Sequence, residues 1–161
     1  MQELLNMCDL TIVGRLLLAG LLGGIIGAER ETKGKPGGLR TNMLIALGSA
    51  LFVQVAMFCV ASYNVGDPTR VIGQVITGIG FLGAGAIIQA GHSVRGMTSA
   101  ATIWIMAGIG MAVGIGDYFA AVIATILILI ILRVMNIVEK RVGIKSTIKT
   151  QESKKEESPL I

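Results

Sequence analysis

The chain has 161 residues, 53% of them hydrophobic and only 15% charged, with a mean hydropathy of +0.75. Soluble domains carry about 25% charge. The charges here are also bunched, which excludes disorder over most of the chain and argues against a soluble globule. Two cysteines, Cys8 and Cys59, are too few and too far apart for a disulfide framework or a metal motif and are expected as free thiols. One histidine cannot build a zinc site.

Apolar runs of membrane length predict five spans, at 10–28, 41–62, 71–90, 97–116 and 118–138. The fold expected is all-α, a polytopic membrane helical bundle with five transmembrane helices. The first run is not read as a signal peptide, because Glu3 and Asp9 precede it with no Lys or Arg. The organisation expected is an extracytoplasmic N-terminus at 1–9, a membrane domain at 10–138 and a basic, disordered cytoplasmic tail at 139–161. Arg30, Lys33, Lys35, Arg40, Arg95 and the tail lysines fall on one side of five spans. Glu3, Asp9, Asp67 and Asp117 fall on the other, with Arg70. The positive-inside rule then puts the N-terminus outside and the C-terminus in the cytoplasm. The same rule explains the pI of about 9.3. No nucleic-acid partner is implied, because no aromatic platform is interleaved with the basic residues.

Within the spans, glycine is abundant, at 22 residues. Gly23 and Gly27, Gly80 and Ala84, and Gly110 and Gly114 are each four apart, the spacing of smooth faces on which helix backbones touch. These faces serve packing within the chain or a homodimer seam. Gly78 to Gly83 matches GxGxxG by letter, but it lies in mid-run with no strand before it, so a dinucleotide site is rejected.

Charge inside a bilayer is costly and marks function. Arg15, Leu18, Leu22, Ile26 and Glu29 form one stripe of the first span. Arg15 and Glu29 are about 21 Å apart along it. Glu29 is expected to meet Arg40 or Arg95, and Arg15 to meet Asp9, Asp67 or Asp117. Arg70, Gln74, Thr77 and Phe81 form a second stripe, Asn42 and Ser49 share a face, and so do Thr98 and Thr102. Two clusters result: an inner one of Glu29, Arg30, Arg40, Asn42 and Arg95, and an outer one of Asp67, Arg70 and Gln74. His92, alone in a short loop, is read as solvated. No nucleophile–base pair, P-loop or metal cluster appears, so neither an enzyme nor a cofactor is expected.

The blocks Gly27-Ala28-Glu29-Arg30-Glu31, Gly38-Leu39-Arg40-Thr41-Asn42, Ala46 to Phe52, Asp67-Pro68-Thr69-Arg70, Gly78 to Gly85 and Val94 to Trp104 resemble the MgtC/SapB membrane proteins, in order, over about residues 10–138. The resemblance implies a five-span protein of the bacterial inner membrane. It also implies a role in growth at low magnesium and in virulence, exerted on the F-type ATP synthase. The larger family members carry a folded cytoplasmic domain where this chain has 139–161. At Ser99 this chain departs from the commoner Thr-Thr-Ala-Ala. Two functions follow: a regulator that binds membrane partners, itself a homo-oligomer (dimer) in membrane lipid, or a small-cation transporter using Glu29, Asp67 and Asn42.

Overall fold

The computed structural model describes residues 2–90 and 93–141. His92, the tail beyond Arg141 and the side chains of Cys8 and Asp9 lie outside the described residues. Among those described there are five α-helices: α1 (Gln2–Thr32), α2 (Leu39–Tyr63), α3 (Pro68–Gly85), α4 (Met97–Ile115) and α5 (Tyr118–Arg141). Between α3 and α4 stands one antiparallel pair of short strands, β1 (Ile88–Ala90) and β2 (Ser93–Arg95), with Ile88 opposite Arg95. Two compact units divide the chain, Met1–Thr125 and Ile126–Ile161. The first holds α1 to α4 and the start of α5; the second continues α5.

Helices α1, α2, α4 and α5 are long and apolar enough to cross a membrane. Their outward residues fit lipid rather than water: Leu17, Leu21 and Leu44 are 69%, 60% and 68% exposed. The chain is thus a multi-pass membrane protein.

The third run departs from its expected limits. The helix there starts three residues early and stops five early. Asp67 caps its start, accepting from Thr69 N at 2.9 Å and Thr69 Oγ1 at 2.7 Å, and Pro68 follows with φ already preset. At the other end the chain leaves the helix to form the strand pair, which returns to α4 through Gly96. Gly96 has φ +92°, and a Cβ there would stand 1.9 Å from the Ala86 carbonyl oxygen, so only glycine closes this path. The 18 residues of α3 include Arg70, Gln74 and five glycines, and α3 is not among the helices that meet the membrane-crossing criteria.

Helices α1, α2 and α4 pack on one another, and α3 packs on α4 and α2. Glycines set the approach and the direction. A Cβ on Gly23 would lie 2.5 Å from the Asn42 carbonyl oxygen, and one on Gly27 2.7 Å from Leu39 Cα, so α1 and α2 run antiparallel. A Cβ on Gly110 would lie 2.2 Å from Ala46 O, and one on Gly114 2.8 Å from Ala50 O, so α2 and α4 run parallel. These four glycines therefore serve contacts within the chain. Gly80 has nothing within 4 Å of its would-be Cβ, and Ala84 is exposed.

Candidate functional site

The stripe of α1 that begins at Arg15 turns inward. Leu22, Ile26 and Glu29 are buried, as is Arg30 beside them. Asn42 and Ser49 on α2, and Ser99 and Thr102 on α4, are buried as well. The membrane core of this protein thus carries a polar seam where α1, α2 and α4 meet.

At one end of the seam Arg30 Nη2 donates to Ser99 Oγ at 2.7 Å, linking α1 to α4. Arg30 is 3% exposed, and its Nε has no hydrogen-bond partner among the described residues. Glu29 pairs through Oε1 with Lys33 Nζ one turn further on, while its Oε2 is buried without a hydrogen-bond partner. The expected partners, Arg40 and Arg95, do not take this place. A side chain four residues on lies on the same helix face, and the long Lys33 stem reaches back to it. Arg40 is exposed at the start of α2, and Arg95 is exposed in β2.

Asn42 acts locally. Its Nδ2 donates to the carbonyls of Gly37 and Gly38, the latter at 3.1 Å, which fastens the α1–α2 turn to α2. Its Oδ1 is buried without a partner among the described residues. The N-cap residue Gly38 has no side chain to offer, so Glu31 Oε2 accepts from Leu39 N at 2.7 Å instead. Of the inner cluster, the structure therefore draws Glu29, Arg30 and Asn42 into the seam and leaves Arg40 and Arg95 at its rim.

At the opposite end Arg15 Nε donates to Tyr118 Oη at 3.1 Å and Nη1 to the Gly114 carbonyl at 2.9 Å. Its expected acidic partners Asp67 and Asp117 are occupied elsewhere. Asp67 caps α3, and Asp117 Oδ1 accepts from Ala120 N at 3.0 Å at the start of α5. The side chain of Asp9, the third partner expected, lies outside the described residues. The Thr69 hydroxyl and then its backbone N–H hold the Asp67 carboxyl below the usual range.

Asp67, Arg70 and Gln74 do not join the seam. They line the mouth of a groove of about 810 Å³ between α2 and α3. Its walls are apolar, with Leu44, Phe52, Val75 and Leu82 among them, and Ser49 lies at its side. The Thr98 and Thr102 pair resolves into one hydrogen bond along α4, from Thr102 Oγ1 to the Thr98 carbonyl at 2.7 Å.

Three contributors escaped the reading of residue types: Ser99 as the acceptor for Arg30, Gln54 and Tyr118. Ser99 precedes Thr102 by three, so helical spacing alone places it on the same face. Gln54 Nε2 bonds the Ala50 carbonyl at 3.4 Å, and its Oε1 is buried without a partner among the described residues. Among those residues no three His, Cys, Asp or Glu side chains gather as metal ligands.

No solved structure matches the chain. "Putative magnesium transporter YhiD" of Escherichia coli K12 is 43% identical over 127 residues, 76% of this chain and 59% of that protein. "Protein MgtC" of Salmonella typhimurium LT2 is 47% identical over 114 residues, 71% of this chain and 48% of its own length. An uncharacterized Haemophilus influenzae protein is 43% identical over 153 residues, 91% of this chain and 64% of that protein. The chain thus spans about half to three-fifths of the first two relatives. The model of the MgtC family matches residues 16–141, which takes in the groove and all of the polar seam but Arg15. The chain belongs to the MgtC family.

Proposed function

We propose that this is a regulator in the bacterial inner membrane that acts by contact with another membrane protein. In this reading α3 serves as a fifth span, the N-terminus is outside and the C-terminus cytoplasmic. The process served is adaptation to low magnesium and, in pathogens, virulence. The family resemblance suggests the F-type ATP synthase as partner.

The observation that carries the reading is the free side of α3. Gly73, Thr77, Gly80 and Ala84 lie on one face of this helix and are exposed. A Cβ at Gly73 or Gly80 would meet nothing within 4 Å. Gly23, Gly27, Gly110 and Gly114, by contrast, are spent on contacts within the chain. A small-residue face left open in lipid is suited to a helix of another protein or of a second copy. The test is photocrosslinking in native membranes with a photoreactive residue at Phe81. Adducts lost in Gly80→Leu and Ala84→Leu support the reading; adducts that survive both changes contradict it.

Cation transport is the second reading. It is favoured by the buried, unpartnered oxygens Glu29 Oε2 and Asn42 Oδ1 and by the name of the Escherichia coli relative. Glu29 and Asp67 do not share such a site: they stand at opposite ends of α2, whose 25 residues span about 37 Å.

A further inference from the structure

The groove between α2 and α3 lies on a different face of α3 from the open small-residue face. Val71, Val75, Gly78 and Leu82 line it from α3; Leu44, Gly48 and Phe52 line it from α2. It is apolar along its length and polar only near Ser49 and at its mouth, where Asp67, Arg70 and Gln74 stand within the first two turns of α3. An elongated apolar slot with a polar mouth has the shape of an amphiphile site.

The mouth carries both charges, and both have capacity left. Asp67 spends Oδ1 on Thr69 N and Oγ1. Arg70 and Asp67 attract each other across the mouth, but among the described residues neither Asp67 Oδ2 nor the Arg70 guanidinium forms a hydrogen bond, and the two do not close into a direct ion pair. A guanidinium beside a carboxylate complements a headgroup that is itself a zwitterion: the phosphate meets Arg70, and a primary ammonium meets Asp67. A lipid with net negative charge would place its charge against the ionised Asp67. A free phosphate or amine would leave the apolar slot unfilled. Tyr63, exposed at the end of α2, sits at this same end, where a tyrosine marks the level of lipid headgroups.

We propose that this groove binds one molecule of phosphatidylethanolamine, its acyl chain between α2 and α3 and its headgroup between Arg70 and Asp67. The inference is independent of the regulator reading, because it uses neither Gly80 nor Ala84.

The test is native mass spectrometry of the full chain, delipidated in mild detergent, with palmitoyl-oleoyl phosphatidylethanolamine, phosphatidylcholine or phosphatidylglycerol added in turn. Phosphatidylethanolamine is expected to be retained best. Arg70→Gln and Asp67→Asn should each weaken its retention by about threefold to fivefold, the scale of one exposed ion pair. Asparagine still caps a helix, so Asp67→Asn keeps α3 intact. Gly48→Leu and Gly78→Leu should abolish retention of all three lipids. A Cβ at either glycine meets nothing within 4 Å, so both variants should fold. Stronger retention of phosphatidylglycerol by the unaltered chain overturns the headgroup assignment. Equal retention of all three lipids that survives the two leucines overturns the site.

Discussion

Arg30 on α1 donates to the Ser99 hydroxyl on α4 at 2.7 Å, across 69 residues of sequence and with both side chains buried. A guanidinium in such surroundings depends on each acceptor it finds. Ser99→Ala removes this one and leaves a second buried donor beside the unpartnered Nε. The expected cost is about 1–3 kcal/mol. Ser99→Thr keeps the hydroxyl and should retain most of the stability. Thermal unfolding in detergent, followed by size-exclusion fluorescence, separates the two.

The glycine faces should respond in opposite ways. Gly110→Ala drives a methyl to 2.2 Å from the Ala46 carbonyl oxygen, which forces α2 and α4 apart. Overpacking of this kind costs about 1–3 kcal/mol or more. Gly80→Ala meets open space and should leave the melting temperature unchanged. The same unfolding assay reads both, and a large loss in Gly80→Ala contradicts the assignment of that face.

The cap of α3 is expected to titrate. The Asp67 pKa is held below its ordinary 3.8 by its bonds to Thr69. The group therefore stabilises the fold above that ordinary value and loses its contribution as pH falls through the lowered one. Asp67→Asn keeps a cap without the charge, so its stability should not show this acid step. Melting temperatures from pH 6 down to about pH 3, over which carboxylates titrate, make the comparison.

At the far end of the seam, Tyr118→Phe removes one of the two acceptors for Arg15 and leaves the Gly114 carbonyl. This bond is exposed, so the loss should be about 1 kcal/mol or less. Arg15→Leu frees Gly114 as well and should cost more. Unfolding of the two variants side by side gives the order.

Much of this fold could be read along the chain because lipid imposes a simple rule of length and apolarity. Helices α2, α4 and α5 begin and end within about two residues of the expected limits, apart from three added at the end of α5. Helix α1 runs on to Gln2 and Thr32, since polar ends extend a helix beyond its apolar part. The end of α3 was hidden because Ile87 and Ile88 continue the apolar run, while the strand pair that captures them depends on Gly96, more than seven residues away.

The seam was legible as far as faces go: the spacing of Leu22, Ile26 and Glu29, and of Asn42 and Ser49, follows the helix period. Partners were not. Charge complementarity suggested Arg40 or Arg95 for Glu29 and an aspartate for Arg15, whereas reach decided for Lys33 and Tyr118. The Lys33 pair follows from i,i+4 spacing along α1 alone, whereas Tyr118 for Arg15 and Ser99 for Arg30 depend on how separate helices come together.

We propose that this chain acts by contact rather than by conducting ions. The direct measurement is Mg²⁺ entry into proteoliposomes carrying an internal Mg²⁺-sensitive dye, with a known magnesium channel as positive control. No entry above that of empty liposomes is expected while the control conducts. Entry above that level, abolished by Glu29→Gln, would contradict the proposal.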